Sequence, residues 1–126
     1  MFHLFSEKAD HGQPFDFTCN LPHVISLDQD QWEIGMTDIR IFGTKRILED
    51  DLMVCTDIIE PRSLVGERFE PTLAVISRIG EVQNPVYFTV APEYLQRIRV
   101  YIRDTKMNDP AIQSKAVRVS LHLKRK

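Results

Sequence analysis

Three arginines and a tyrosine alternate along residues 97–103 (RIRVYIR), and a second basic series, Arg118 and Lys124 followed by Arg125 and Lys126, closes the chain. On an extended strand Arg97, Arg99, Tyr101 and Arg103 project to one side with ~6–7 Å between alternate residues, which offers a row of cations to carboxylates or phosphates. Together with Arg118 and Lys124 they are expected to make one positive face. Such a face can be a solvated outer wall, an arginine-rich contact between subunits, or a grip on an acidic ligand. The formal net charge of -2 argues against bulk attraction to nucleic acid, and Tyr101 alone is interleaved with these cations as a base-stacking platform.

Other chemistries have less behind them. His3, His11, His23 and His122 are scattered, with no i, i+4 pair and no cysteine or carboxylate cluster beside them, so no metal ligand is assigned. Asp28 and Asp30 sit in a turn without the glycine bend and distant glutamate of a calcium loop. The acidic run Glu49, Asp50, Asp51 just before an apolar segment reads as a turn and edge guard. Ser120 and His122 share a strand face, but neither an orienting acid nor a GxSxG-type nucleophile turn accompanies them. The five glycines are dispersed and cradle no phosphate. The expectation is a protein without catalytic residues or cofactor, not an enzyme.

The elements that must carry these side chains are strands. Trp32, Ile34 and Met36 alternate with Glu33, Gly35 and Thr37, after which Ile39 and Ile41 take the apolar positions. One extra residue between Gly35 and Asp38 accounts for that change of phase, which predicts a β-bulge. Residues 15–20 alternate, with the strand expected to end at Leu21-Pro22; residues 52–60 are apolar on both faces, as in a strand covered on both sides; residues 71–78 and 86–90 follow. Ile98, Val100 and Ile102, then Val117, Val119, Leu121 and Leu123, alternate with polar residues in the last two strands. The eleven residues 105–115 between these two are too many for a tight hairpin, so they need not be neighbours. Residues 91–96, with Pro92, could close one helical turn. No amphipathic helix is present.

Seven strands, or eight if residues 2–5 pair, predict an all-β fold, with a single jelly-roll β-sandwich of antiparallel strands as first choice. Residues 1–14 are expected to form an N-terminal arm and residues 15–126 the jelly-roll domain. At 126 residues the chain suits one core. No apolar run approaches the ~20 residues of a membrane helix, and the first twelve residues lack a secretory pattern, so synthesis inside the cell and no membrane partner are expected. Cys19 and Cys55 fall within strands and read as buried free thiols.

Six segments, taken in order, add a likeness: FDFTCNLP (15–22), ISLD (25–28), WEIGMTDI (32–39), VCTDIIEPRSLVG (54–66), IRVYIRD (98–104) and VSLHLKRK (119–126). Over most of the chain they resemble the penton-like minor capsid proteins of Polinton/Maverick elements and adintovirus-like DNA viruses. The resemblance implies a single jelly roll in the virion that self-associates as a ring, a pentamer before a trimer, and abuts the major capsid protein. It implies no catalytic residues. Its recurring positions fall on Trp32, Glu33 and Gly35 and on Asp57, Glu60, Pro61 and Gly66, expected to be fold and contact residues with Trp32 as a core anchor. Ile59 and Tyr101 are expected as exposed apolar contacts between subunits. The alternative is a non-enzymatic β-sandwich module that recognises carbohydrate or another acidic ligand through its loops or arginine face.

Overall fold

The computed structural model describes residues 1–8, 11–28, 31–43, 47–60, 63–65, 68–110 and 116–126. In chain order the strands are β1 (Phe2–Phe5), β2 (His11–Gln13), β3 (Asp16–Ser26), β4 (Trp32–Ile41), β5 (Ile47–Thr56), β6 (Ser63–Val65), β7 (Arg68–Glu70), β8 (Thr72–Arg78), β9 (Gly80–Glu81), β10 (Phe88–Thr89), β11 (Tyr94–Asp104) and β12 (Val117–Arg125). A single 3-10 turn, Ser6–Lys8, is the only helical element among the described residues.

The strands build two antiparallel five-stranded sheets. One runs β1-β12-β4-β10 with β9 also on β4, the other β2-β3-β11-β5-β8, and β6 pairs β7 as a separate hairpin. The pairing is nested: β1 with β12, β3 with β11, β4 with β9 and β10, β5 with β8. A long antiparallel ribbon whose two arms pair from the ends inward, and which then rolls so that β12 meets β4 and β11 meets β5, is a jelly roll. Counting β9 and β10 as one interrupted strand gives the eight of that fold. Phe2–Phe5 supplies the first of them, so residues inside the stretch expected as an arm pair along β12, and His11–Gln13 pairs along β3.

The core lies between the sheets because their inner faces carry the apolar half of each alternation. Ile34, Met36, Ile39, Val117, Val119 and Leu121 face Phe17, Leu52, Val54, Ile98, Val100 and Ile102, all buried in one cluster. The strand expected over 52–60 is shifted: β5 runs Ile47–Thr56, so the acidic run Glu49, Asp50, Asp51 expected as a turn lies within it, and the chain turns at 57–58 before Pro61 is reached. Its apolar part is covered on both sides, every residue from Leu52 to Thr56 being buried. Cys19 and Cys55 are both buried free thiols.

The expected bulge is at Thr37. Ser120 pairs with Asp38 and Leu121 with Met36, so Thr37 stands unopposed and the inward set of β4 resumes at Ile39. Two further local expectations are corrected. β3 does not end at Pro22, because Leu21–Val24 bulge opposite Gln96 and the ladder resumes at Ile25 with Leu95; a proline is tolerated where a bulge releases its missing N–H. Residues 94–96 belong to β11 and make no helical turn, since the fully buried Leu95 is drawn into the core opposite Ile25.

Candidate functional site

β11 lies between β3 and β5, so its outward side chains meet neighbours on both flanks. Tyr101 stands opposite Asp16 of β3 and opposite Cys55 of β5. Asp16 takes a two-pronged grip from Arg99, with Nε donating to Oδ1 at 2.9 Å and Nη2 to Oδ2 at 2.8 Å. Arg103 adds a longer contact to the same Oδ2 at 3.4 Å and donates to the carbonyl of Phe15 at 3.1 Å. Hydrogen bonding and charge from Arg99 hold the Asp16 carboxyl below its usual range, and Asp16 in turn raises the Arg99 guanidinium. Two of the three cations on this strand are therefore matched by an acid of the same molecule.

The Tyr101 ring is flanked by both guanidinium carbons, Arg99 at 4.6 Å and Arg103 at 5.6 Å from its centroid. Tyr101 is not an exposed contact residue: it is 8% exposed and, with Met53 and Cys55, makes a small second core on the outer side of the sheet, against which Met107 packs. Its hydroxyl donates to Oε2 of Glu70 at 3.0 Å, and Cys55 Sγ lies 3.8 Å from Thr72 Oγ1. Burial pushes both the Tyr101 phenol and the Cys55 thiol up. Ile59 is corrected in the same way, at 3% exposed and bridged to Val90. Alternation marks which side a residue faces, whereas later chain segments decide whether that side meets water.

Arg118 and Lys124 do not join this face. β12 belongs to the opposite sheet, so the single positive wall expected from the sequence is two walls on opposite sides of the sandwich. There Asp38 Oδ2 accepts from Arg118 Nη2 at 3.2 Å and Arg40 Nε at 3.3 Å, while Arg118 also lies 6.0 Å from the Phe5 ring centre. Lys124 Nζ sits 3.9 Å from the Tyr87 ring centre and 3.6 Å from Glu33 Oε1. Ser120 pairs with His3 (Oγ to Nδ1, 2.9 Å) and His122 with Tyr87 (Nδ1 to Oη, 2.7 Å), so the serine and histidine of this strand turn to separate partners.

Tyr87 is the residue the sequence reading missed. It crosses over Gly35, whose lack of a side chain leaves room for it, and reaches His122 on the far strand. Glu33 and Gly35 thereby acquire definite roles, as an ion-pair partner and as a seat for the ring. Trp32 is half-buried against the core edge with the Arg125 guanidinium 5.6 Å from its ring. Asp57 accepts the Arg99 backbone N–H at 3.0 Å, and Glu60 is exposed. Pro61 and Gly66 lie outside the described residues.

Arg97 is exposed, and among the described residues it enters no ion pair. It borders an open depression together with Asp57, Pro92, Gln96 and Tyr94, the last 63% exposed. Elsewhere, exposed apolar side chains stand on strand edges and loops: Ile47 and Val75 on the β5–β8 side, Val86 before β10, Val24 in the bulge of β3. Among the described residues no three His, Cys, Asp or Glu side chains are grouped to share a metal ion, and no helix is long and apolar enough to cross a membrane. Comparison with family models, curated proteins and solved structures finds no match for the chain.

Proposed function

We propose that this chain is a structural capsid protein, a vertex-type minor capsid jelly roll that closes into a ring with copies of itself and contacts the major shell protein in the virion. The nested eight-strand pairing carries the reading, because it is the connectivity used by capsid jelly rolls. The distribution of polarity supports it further. Both outer walls tie most of their charges to partners within the molecule, while isolated apolar side chains such as Val24, Ile47 and Val86 stand out at edges and loops, where a neighbouring subunit would meet them. Native mass measurement tests this: a closed ring, five chains before three, is the expected state, and a chain that remains single at high concentration refutes it.

The depression around Tyr94 gives a second reading its one specific support. An exposed aromatic ring beside Asp57, Gln96 and Arg97 is the combination by which lectin-type sandwiches hold sugars or acidic glycans, the ring stacking and the polar groups orienting. In that case a glycan array shows a discrete set of ligands, or a heparin column retains the protein in a salt-sensitive manner. Tyr94→Ala and Arg97→Ala abolish the signal, whereas substitutions at Arg99 or Arg103, already engaged by Asp16, act mainly through stability.

A further inference from the structure

β8 is the outermost strand of its sheet, hydrogen-bonded to β5 on one side only among the described residues. Its sequence, TLAVISR, contains no proline, no glycine and no charge before Arg78, the last residue. Sheet edges of that length are ordinarily blunted by charge, proline, bulges or shortness, since a row of unpaired N–H and C=O groups templates another strand. The other edges here are short: β1 has four residues, β2 three, β9 and β10 two each. The stretch of β3 that β2 leaves unpaired, Cys19–Ser26, carries Pro22 and a bulge. β8, at seven residues, is interrupted only near its N-terminal end, where Leu73 bulges out of register with β5, and among the described residues its stretch Ala74–Ser77 has neither charge nor proline; an open groove formed by Ser77, Arg78, Gly80 and Gln83 runs beside it.

The strand is also complementary to itself. Val75 is its middle residue, points outward opposite Met53 and is 58% exposed. An antiparallel pair of β8 strands related by a twofold axis through Val75 sets valine against valine and Ala74 against Ile76 on either side of it, the regular register stopping at Leu73, which is bulged and turned into the core. No like charges oppose one another, β-branched side chains meet at the centre, and the two valines cover the apolar surface that each exposes alone. We propose that β8 is a docking edge for a second copy of this chain, joining two five-stranded sheets into one continuous sheet of ten. This twofold contact is separate from ring closure and does not depend on it.

The test is charge complementation at the axis. Val75→Lys and Val75→Glu change one solvent-facing side chain whose backbone pairing to β5 is kept, so circular dichroism and thermal melting stay close to those of the parent protein. By sedimentation or native mass spectrometry each variant alone falls to half the parent particle mass or less, with pairing weakened about a hundredfold by like charges facing each other. Mixing the two restores the parent mass, because lysine then faces glutamate. A parent mass that is unaltered by Val75→Lys overturns the proposal. So does a failure of the mixture to re-pair, since it removes Val75 from the axis.

Discussion

Tyr87 occupies the space that a side chain at Gly35 would take. A Cβ built on Gly35 falls 3.1 Å from Tyr87 Cδ1 and 2.9 Å from the carbonyl oxygen of Val86, the second an approach that real Cβ atoms essentially never make. A glycine in a central strand normally forfeits stability relative to alanine, so its presence in β4 is explained by what crosses it. Gly35→Ala is expected to destabilise the fold by about 1–3 kcal/mol, as overpacking does, because a backbone carbonyl has to move. Urea unfolding checks the sign: a gain in stability would mean that the Tyr87 segment yields freely.

The Asp16 carboxylate works against acid. Its pKa in the folded chain lies below the unfolded value, so its contribution is present in full above the ordinary aspartate range and is lost as pH falls through the folded value, a window that opens below about pH 4. Asp16 and Arg99 are both partly exposed, and the pair is worth no more than about 1 kcal/mol after solvent screening. Asp16→Asn should therefore lower stability modestly at pH 7, with the gap to the parent closing as both are taken toward pH 2. A gap independent of pH would show that the carboxylate charge is not what matters.

Tyr101 gives the alkaline counterpart. Burial, followed by nearby acidic groups, raises the phenol above its free value of about 10, so the folded state keeps a proton that the unfolded chain releases. Stability is then full below pH 10 and declines as pH rises above it. Tyr101→Phe removes the hydroxyl that donates to buried Glu70 and is expected to cost about 1–3 kcal/mol at pH 7. Ultraviolet titration of the folded protein should show one phenol resisting ionisation at pH 11, and its absence from the Tyr101→Phe variant identifies it.

Thr56 points the other way. It is fully buried, and among the described residues its hydroxyl has no hydrogen-bond partner. Thr56→Val keeps the branched shape and the backbone N–H that donates to the Pro71 carbonyl at 3.2 Å, while removing an unsatisfied polar atom. A rise in stability of about 1 kcal/mol is expected in chemical denaturation. A loss would reveal a partner for that hydroxyl.

The fold was legible where one strand's own alternation specifies its two faces. Ile34, Met36, Ile39 and the change of phase at Thr37 could be read along ten residues, and so could the inward sets of β11 and β12. What escaped was every property that depends on which strand lies beside which. Arg103 and Arg118 follow the same local pattern, yet a jelly roll sends β11 and β12 to opposite sheets, so their cations never share a wall. Tyr87 lies 52 positions from Gly35 in sequence, and no local period links them. Tyr101 and Ile59 looked exposed because alternation does not reveal the Glu70 and Val90 segments that close over them. The acid Asp16 was visible as a polar residue of its strand, but its two arginines lie 83 and 87 residues further on.

Assembly is the claim on which the functional account rests, and native mass spectrometry of the Val75→Lys variant tests it without interference from edge pairing. The account predicts a closed ring of this 14.7 kDa chain, five copies with three as the other closed form, holding its mass as concentration rises. A folded variant that remains one chain throughout the range would contradict it.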